Sequence, residues 1–592
     1  MRQIIITTVL ALCASAGTHA SLSGPAESQP VQGPRHCRYI AGDDGWPDLE
    51  RWTALNKTVA GRLIKTRPIG SICHYPNYNR AECSALARDW GLVKTHEPLP
   101  AEFLSLYFQN NTCTPFTSPQ TRCQLGNYVP YSIDVRSIND VRAGISFAKK
   151  HNIRLVIHNS GHDFYGQSTG NGALALWMHN YNKVEVVQHY SSTYYNGPAL
   201  RVQTGAEGAV AVAHAASHGY TVVSGACPTV KMAGGYLAGG GHGYLNGVYG
   251  FGADNVLEWE VVTANGDRLV ATPEAHVDMY WALSGGGGGT FGVVLSATVR
   301  AFPNSVTSNA AFSFSAEQAG GPEQFWDAVD TFHEQITPLL DEGFVVEYGF
   351  TKDILAVVGI MASGRNSVEL QSRLQPLIKA LTSRPSSQLT TESLPIKLTQ
   401  ADSYYDLYKT EIPPVLEPLV LGPAIAGRFV PRAAVDSGSA ALNQAYRAIA
   451  ERGYSFSVIA LNALNAVRNR TAPPIAPNAV QPNFINAYSS LMINASWSHS
   501  SPWSEVQSVQ DTLMDEIIPI FDAAVPGAGA YKNEANWAEK DVKQSFFGGT
   551  YHRLEEIKLK TDPQGLFYGL VSVGFDKYET DSDGRLCRRL VA

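Results

Sequence analysis

The stretch RLVIHNSGHDFYGQSTG, residues 154–170, decides how the chain is expected to fold. It begins with an apolar run of strand length, residues 154–157, which leads directly into Asn159-Ser160-Gly161-His162. Just upstream, residues 131–135 alternate as in a half-buried strand, and residues 137–150 show helical spacing that begins with a capping box. The pattern predicts a strand–helix–strand unit that delivers a histidine at the carboxyl end of a strand, where ligand sites of α/β proteins tend to lie.

Regular helices and strands are predicted both before and after Phe302, where the pattern of the sequence changes. The predicted elements are a helix at 207–218, a buried strand at 221–224, a hairpin at 256–272 that turns at Asn265-Gly266, an amphipathic helix through Phe325 and Ile336, strands at 344–350 and 354–361, and a helix at 365–381. Strands and helices alternate after residue 302, so a second α/β or α+β domain is expected there. A chain of 592 residues is too long for one ordinary core, which agrees with two large units.

The composition and motifs exclude several classes of protein. Hydrophobic residues make up 44% and charged residues 16%, a normal globular mixture. The net charge of −7 and the lack of a basic stripe argue against a nucleic-acid partner. No Gly-x-Ser-x-Gly elbow and no cysteine–histidine cluster with zinc spacing occur. His158 and His162 flank a strand end rather than a helix turn, so a metal pair is not expected and no metal site is predicted.

The amino-terminal segment indicates export. Arg2 precedes an apolar stretch and small residues that suit cleavage, so residues 1–20 are predicted to be a signal peptide. This run is too short to span a bilayer, and a second apolar run at 415–426 contains a glutamate and prolines. We therefore expect a soluble protein that is secreted or lies in the secretory pathway, without a membrane partner. Four sequons agree with a secreted glycoprotein: Asn56, Asn110, Asn469 and Asn494.

The cysteine count singles out one residue. Of eight cysteines, Cys13 lies in the predicted signal, and seven remain. Exported proteins usually pair their thiols, so an odd number leaves one for another use. The short separations favour Cys73–Cys83 and Cys113–Cys123, and Cys37–Cys587 would then join the termini, although six cysteines allow other pairings. Cys227 is the residue left over.

Two glycine-rich segments, Gly234 to Gly243 and Gly285 to Gly292, are the clearest local motifs. Glycines let a backbone approach a phosphate or a flat ring closely and free amides to bind anions. The second segment contains a Gly-x-Gly-x-x-Gly match, but it lacks the acidic residue that follows in dinucleotide-binding folds. Neither segment has the Lys-Ser/Thr of a P-loop, which argues against nucleotide hydrolysis. Tight turns without a ligand are the alternative explanation.

The chain resembles the vanillyl-alcohol-oxidase superfamily, with a PCMH-type FAD-binding domain, and within it the berberine-bridge-enzyme-like FAD-linked oxidoreductases. The secreted fungal type, similar to isoamyl alcohol oxidase, matches best. The resemblance covers most of the mature chain. It rests on ordered motifs: 154–170 with Gly161-His162-Asp163, Gly225-Ala226-Cys227-Pro228-Thr229-Val230, 234–243, 280–294, Asn533-Glu534, 551–558 and Asp562-Pro563-x-Gly565-Leu566-Phe567.

The resemblance implies that FAD is bound through two covalent links. The family's flavin-linked histidine corresponds to His162, and the cysteine that is linked in doubly attached members corresponds to Cys227, the residue that parity leaves unpaired. A free buried thiol is the alternative for Cys227. Around these two positions the resemblance assigns further residues to FAD binding: Ser160, Gly161, Asp163, Gly166, Gly225, Thr229, Gly234, Gly235, Gly239, Gly240, Gly241, Gly243 and Asn533.

The implied function is oxidation of an alcohol, sugar or secondary metabolite by hydride transfer to FAD, with oxygen as acceptor and possible use in natural-product biosynthesis. A dehydrogenase that uses another acceptor and a flavin-binding protein without catalysis are the alternatives. One departure from the family bears on oxygen: Lys231 stands where glycine is common. A cation there would alter oxygen access or stabilise reduced flavin, or else it points to solvent.

The implied architecture is α+β, with a two-part FAD domain split around an α/β substrate domain whose sheet is covered by helices. The expected boundaries are a cysteine-containing lead-in at 21–124, FAD-domain portions at 125–303 and 511–592, and the substrate domain at 304–510. The catalytic base is not identified. Glu347, Tyr348 and Tyr488 are candidates, although each residue more often packs or donates a hydrogen bond than acts as a base. The oligomeric state is not expected to be readable from the sequence.

Overall fold

The computed structural model describes residues 37–384, 388–412, 424–436, 438, 440–464 and 472–589. The predicted signal peptide, Cys13 and the sequon at Asn469 lie outside these residues. Strands and helices both occur along the whole described chain, and the predicted α+β class is confirmed. No helix in the described ranges is long and apolar enough to cross a membrane.

A four-stranded sheet carries the histidine motif. Its strands, in spatial order, are Leu63–Lys65, Tyr131–Asp134, Ala173–Trp177 and Arg154–His158. The last three run parallel, and the helix Ile138–Lys150 connects two of them. This helix begins at the predicted capping box, in which Ser137 and Asp140 satisfy each other's backbone amides. The strand–helix–strand prediction is confirmed, and the last strand ends four residues before His162.

A five-stranded antiparallel sheet follows. Its strands, in spatial order, are Val184–Ser191, Asn196–Gln203, Val293–Arg300, Val256–Val262 and Arg268–Ala271. The last two form the predicted hairpin, which turns through Gly266 at φ 85°, a conformation that glycine adopts without strain. The predicted helix at 207–218 is present as Gly208–Ala216.

A seven-stranded antiparallel sheet is the second large unit. Its strands, in spatial order, are Lys397–Ala401, Thr307–Ser315, Ile354–Ser363, Val345–Phe350, Ser455–Ala460, Ala487–Ala495 and Ala424–Pro431. The helices Pro322–Asp341, Ser367–Thr382 and Ala440–Ala450 cover one face. Phe325, Val329 and Phe332 are buried on that side, as the amphipathic pattern predicts. The opposite face is left to line a cavity.

The segment before residue 125 is more regular than predicted. It contains the helices Leu49–Thr58 and Arg80–Asp89, each capped by the residue before it, Asp48 and Asn79. Prolines and cysteines obscure the short amphipathic pattern of these helices in the sequence. The three favoured disulfides are present, Cys37–Cys587, Cys73–Cys83 and Cys113–Cys123, and Cys227 is the free cysteine of the described chain.

The predicted strand at 221–224 is wrong in extent. Only Tyr220–Thr221 pairs, with Phe302–Pro303, and the buried residues 222–224 continue without a strand partner. Burial alone gives these residues the apolar composition of a core strand, so the pattern does not separate the two cases. A further small hairpin pairs Tyr578–Thr580 with Leu586–Arg588.

Shorter helices complete the described structure. They are Ile69–Cys73, Val93–His96, Leu106–Gln109, Met232–Tyr236, Asn246–Tyr249, Ala253–Asn255, Val277–Leu283, Ala316–Ala319, Tyr404–Glu411, Arg432–Asp436, Pro482–Ile485, Trp503–Thr512, Leu513–Ile517, Ile518–Ala524, Lys532–Glu534, Val542–Phe546, Gly548–Thr550, Tyr551–Thr561 and Phe575–Lys577.

The carboxyl-terminal segment returns to the first part of the chain. Phe567 forms a bridge with Leu155 of the histidine-bearing strand, and the Asn533 amide donates to the Gly235 carbonyl at 2.8 Å. Contacts across several hundred residues of sequence therefore hold the glycine-rich segment in place. The domain boundaries given above remain predictions.

Candidate functional site

A cavity of about 1060 Å³ lies between the uncovered face of the seven-stranded sheet and the loops of the amino-terminal sheets. Its lining comes from many separate parts of the chain, which include Ala87 to Phe116, Leu155 to Ser168, Gly225 to His242, Gly288 to Val294, the strands and loop from Glu347 to Ser500, Tyr531 to Glu534, and Phe567 with Tyr568. The volume is at the upper end of the range for ligand pockets, so the cavity has room for a large ligand. The lead-in segment contributes to this wall, which its irregular sequence does not indicate.

His162 lies at the end of the loop that leaves the strand Arg154–His158. Gly161 precedes it at φ 72°, and this turn directs the imidazole into the cavity. Nε2 lies 2.8 Å from Oγ1 of Thr229, and Nδ1 makes no hydrogen bond within the described residues. Burial lowers the pKa of His162 to about 4, while Glu97 raises it and Lys231 lowers it further. The imidazole is therefore neutral at physiological pH, as a nitrogen nucleophile must be.

Cys227 lies against the same hydroxyl. Its Sγ is 3.8 Å from Oγ1 of Thr229, and its thiol is half-buried in the cavity wall. Burial raises the pKa of Cys227, and hydrogen bonds from Thr229 and Val230 oppose that shift. Tyr408 fixes the loop from the far side, since its hydroxyl donates to the Ala226 carbonyl at 3.0 Å. The structure thus brings His162 and Cys227 together on one threonine.

The other residues assigned to FAD binding divide into two groups. One group lines the cavity: Ser160, Gly161, Asp163, Gly225, Gly234, Gly235 and Asn533. The second group lies behind the wall: Gly166, Thr229, Gly239, Gly240, Gly241 and Gly243. The residues behind the wall hold the residues that line the cavity in place through packing and hydrogen bonds.

Packing explains why the second group is rich in glycine. A Cβ on Gly243 would lie 2.2 Å from the Ser224 carbonyl oxygen, and one on Gly239 would lie 2.3 Å from the Asn533 amide nitrogen. Gly243 therefore tolerates no side chain, and a side chain at Gly239 would displace the Asn533 amide from its contact with Gly235. Gly235 differs, because a Cβ there meets no atom within 4 Å although the residue lines the cavity. Gly235 therefore leaves the backbone of the cavity wall open to a ligand, as does Gly289, which also lines the cavity with no atom near its Cβ position.

Asp163 stabilises the loop that carries His162. Its Oδ1 accepts hydrogen bonds from the backbone amides of Gln167, at 2.8 Å, and Tyr165, at 3.3 Å, and the Ser168 hydroxyl donates to the other oxygen. The carboxylate thus acts as a local cap rather than as a free ligand group. The neighbouring His158 is also engaged, because its Nδ1 donates to the Ser168 carbonyl at 3.1 Å.

The cavity fits the FAD that the sequence leads us to expect. Five lining residues hold a buried polar atom without a hydrogen-bond partner: Asn159 through Oδ1, His242 through Nδ1, and Tyr165, Tyr236 and Tyr348 through their hydroxyls. Buried polar atoms are normally satisfied, so such atoms on a cavity wall indicate a polar ligand. The glycine backbone at Gly235 offers a surface for a flat ring. The convergence of two nucleophilic side chains agrees with the same ligand.

Lys231 does not point to solvent. Its side chain is 2% exposed, and Nζ forms ion pairs with Glu97 at 2.6 Å and Glu207 at 3.1 Å. Burial acts to raise the pKa of Glu97, but His179 and Lys231 outweigh it and lower the pKa overall. The cationic charge beside His162 is therefore matched by carboxylates, and the solvent-facing alternative is wrong.

Glu347 faces the cavity from the seven-stranded sheet, beside Tyr244. The Tyr244 hydroxyl donates to Oε2 of Glu347. Burial raises the pKa of Glu347, and hydrogen bonding from Tyr244 and the charge of His242 only partly offset it. A carboxylate with a raised pKa in a cleft has the properties of a general base.

A second acid–base pair lies close to the first. Nε2 of His242 is 2.8 Å from Oε1 of Glu534. Burial alone would lower the pKa of His242, but Glu534 and Glu347 outweigh it and raise the pKa. The two pairs place proton donors and acceptors on the same side of the cavity.

Tyr348 and Tyr488 belong to the packed interior of the substrate-side sheet. The Tyr348 ring packs edge-on against Phe332, with ring centroids 4.9 Å apart. The Tyr488 hydroxyl donates to the His333 carbonyl at 2.7 Å. Both contacts are with the helix Pro322–Asp341, which covers the face of the sheet opposite the cavity, although Tyr348 is also among the residues that line the cavity. We therefore do not carry either tyrosine forward as a base.

Several site residues were not identified from the sequence. Glu97 and Tyr244 have no motif, and His242 and Glu534 were noted only as parts of the segments 234–243 and 533–534. Their roles depend on which distant segments meet, which one sequence does not show. A histidine between two glycines, Gly241-His242-Gly243, was the one signal that could have pointed to His242.

Family models match both ends of this arrangement. A model described as an FAD binding domain matches residues 130–272, and a model described as berberine and berberine like matches residues 530–573. The first range contains His162 and Cys227, and the second contains Asn533 and Glu534.

Relatives match nearly the whole chain. A VAO-type flavoprotein oxidase of Thermothelomyces thermophilus is 37% identical over 588 residues, covering 98% of this chain and 99% of that protein. A bifunctional decalin synthase of Penicillium decumbens is 39% identical over 579 residues, covering 96% of this chain and 98% of that protein. The crystal structure of a VAO-type flavoprotein from Myceliophthora thermophila superposes with a TM-score of 0.88 at 38% identity, covering 93% of this chain and 100% of that one.

Proposed function

Since the chain belongs to the VAO-type, berberine-bridge-like family of FAD-dependent oxidoreductases, we propose that it is a secreted oxidase with FAD held covalently through His162 and Cys227. The observation that carries this proposal is the convergence of a neutral imidazole and a free thiol on Thr229 in the wall of one large cavity. Neither side chain has another structural role among the described residues. The odd cysteine count agrees independently.

The residues that would hold FAD are those already placed on the cavity wall. Ser160 and Gly161 lie in a loop that ends a parallel strand, a usual place for nucleotide phosphates. Gly234 and Gly235 allow close approach of a flat ring, and Asn533 fixes the Gly235 carbonyl.

When bound, FAD would accept a hydride from the substrate C–H bond while the hydroxyl loses its proton, so that an alcohol would become a carbonyl compound and dioxygen would finally be reduced to hydrogen peroxide. Glu347 accepts the proton of the substrate hydroxyl, and the hydrogen bond that Tyr244 donates to Glu347 holds this carboxylate in place. His242 and Glu534 orient the substrate oxygen beside that pair. The name of the Thermothelomyces relative supports the oxidase over the dehydrogenase.

The substrate side of the cavity suits a bulky neutral molecule. The sheet face presents small or apolar residues, among them Gly349, Ala356, Val358 and Met492. Lys231 on the wall is paired with carboxylates and His242 is paired with Glu534, so neither offers a free positive charge to an anionic substrate. We propose an alcohol, sugar or secondary metabolite, and the decalin synthase among the relatives favours a natural-product substrate.

Replacing Glu347 tests the catalytic assignment. Glu347→Gln keeps the shape but removes the base, so we expect kcat/KM for an alcohol that reduces the enzyme to fall about a hundredfold. In the unaltered enzyme kcat/KM rises with pH through the raised pKa of Glu347, because the base must lose its proton, and the variant should lack this limb. Steady-state peroxide production across a pH series measures both.

Glu185→Gln is the matched control, since Glu185 is exposed on the five-stranded sheet. Unchanged activity and an unchanged acid limb in Glu347→Gln would contradict the role of Glu347. Flavin reduction by substrate without oxygen consumption would identify a dehydrogenase instead. Bound flavin that no alcohol, sugar or natural product in the panel reduces would favour a protein without catalysis.

Secretion is proposed on the signal-like terminus and the three disulfides. Among the described sequons, Asn110 is exposed and suits glycosylation. Asn494 does not, because its amide donates to Ser457 at 3.1 Å and the residue lines the cavity.

A further inference from the structure

We propose that the Thr229 hydroxyl is a positioning group that both flavin-linking side chains share. It accepts the Nε2–H of His162, which leaves Nδ1 as the nitrogen that attacks, and it donates its own proton to Sγ of Cys227. This inference rests on the proposed covalent attachment and assigns a role within it to a residue behind the cavity wall.

The hydrogen-bonding capacity of a threonine hydroxyl selects this arrangement. A hydroxyl has one proton to donate and two lone pairs to accept with. If it donated to Nε2 of His162, the ring proton would sit on Nδ1 and block the nitrogen that makes no hydrogen bond within the described residues. If it donates to Cys227, its lone pair is free for the Nε2–H, and the sulfur gains a hydrogen bond that favours the thiolate. Only the second pattern leaves both side chains nucleophilic.

The hydroxyl also suits the state after linkage. When the His162 link forms, a flavin C–H bond and an imidazole N–H bond break and a C–N bond forms; when the Cys227 link forms, a C–H and an S–H bond break and a C–S bond forms. In each case two protons and two electrons are released, and dioxygen accepts them as hydrogen peroxide. The linked imidazole keeps only a lone pair at Nε2. The Thr229 hydroxyl can then donate to that lone pair, so the contact at 2.8 Å survives with its direction reversed.

No other side chain substitutes for this hydroxyl. The His162 imidazole and the Cys227 thiol have no other side-chain hydrogen-bond partner among the described residues, and the thiol is otherwise approached only by the backbone of Thr229 and Val230. The nearby charged groups, Glu97 and Lys231, are paired with each other at 2.6 Å. Loss of the Thr229 hydroxyl should therefore affect both links together, whereas loss of either nucleophile affects one.

The test compares Thr229→Val, which removes the hydroxyl at similar volume, with Thr229→Ser, which retains it. Full-length protein is produced under riboflavin limitation, FAD is added, and acid-stable flavin is followed with time. Peptide mass spectrometry then identifies the product, because a doubly linked flavin joins the His162 peptide to the Cys227 peptide. Thr331→Val is the control: it makes the same substitution at a residue whose hydroxyl donates to the Asp327 carbonyl within a distant helix and does not contact the cavity.

We expect linkage at both residues to slow about tenfold in Thr229→Val, with Thr229→Ser and Thr331→Val close to the unaltered protein. Thr229→Ala replaces the valine variant should that fail to fold. Linkage at the normal rate in both hydroxyl-free variants would overturn the inference, as would a serine variant as slow as valine. If the unaltered protein forms neither link, the proposed covalent attachment fails and the role of Thr229 fails with it, whereas links that form equally well without the hydroxyl overturn the role of Thr229 alone.

Discussion

Lys231 shows how one departure from a family pattern is accommodated. Its ammonium group is buried between Glu97 of the lead-in segment and Glu207 at the start of a helix. A buried charge is tolerated only when it is paired, so the lysine and Glu97 depend on each other. The same pair lies close enough to His162 to influence its pKa.

Removing the cation should destabilise the fold. In Lys231→Met, Glu97 stays 4% exposed but loses its nearest cation, and we expect the free energy of unfolding to fall by about 3 kcal/mol. Denaturant unfolding measures the change. The double variant Lys231→Met with Glu97→Gln removes both charges and should recover most of the loss. A single variant as stable as the unaltered protein would show that the pair contributes nothing.

At the scale of single residues, the sequence identified those that are marked by a motif or by the odd number of cysteines. His162 follows a strand and a glycine, and Cys227 is left over when the other cysteines pair. Glu97 and Glu534 were out of reach, because an acidic residue acquires its role only from a partner brought close by folding. The disagreement over Tyr348 has the same origin, since the strand period alone does not say which face meets the cavity.

The glycine-rich segment 234–243 combines packing and ligand binding in one element. Gly239 and Gly243 are required by neighbouring atoms, whereas Gly235 is required by nothing in the protein. A substitution at Gly235 therefore tests ligand binding without disturbing the packing of the protein.

Gly235→Ala should fold normally and bind FAD poorly. No atom lies within 4 Å of the added methyl group, so we expect the free energy of unfolding without flavin to stay within about 0.5 kcal/mol. The methyl projects from the cavity wall, and FAD loading at limiting flavin should fall about tenfold. Gly549→Ala adds the same group at an exposed position that is also free of neighbours. Equal loading of the two variants would mean that Gly235 does not face the cofactor.

Elements with strong periodicity were predictable, and those without it were not. The helix 322–341, the hairpin at 256–271 and the strand–helix–strand unit appear where apolar spacing and caps place them. The lead-in helices were missed because prolines and cysteines obscure their apolar spacing. The strand at 221–224 was predicted too long because residues 222–224 are buried without pairing to another strand. The strand order of the seven-stranded sheet also lies beyond local pattern, because every pairing in it is set by tertiary contacts.

At the scale of the whole molecule, the site exists only because distant segments meet. His162 and Cys227 come from the first part of the chain, Glu347 from the seven-stranded sheet, and Glu534 from the returning segment. The disulfide Cys37–Cys587, with a sequence separation of 550, closes the chain around this arrangement. Such a cross-link lowers the entropy of the unfolded chain and so favours the assembled state.

The central claim is that FAD is attached through both His162 and Cys227, and acid precipitation of the purified protein tests it most directly. Visible spectra of pellet and supernatant, together with the intact mass, are recorded for the unaltered protein, for His162→Ala, for Cys227→Ala and for the double variant. We predict a yellow pellet and a mass increased by one FAD in the first three, with the flavin released only from the double variant. Release of flavin into the supernatant from the unaltered protein would contradict covalent attachment.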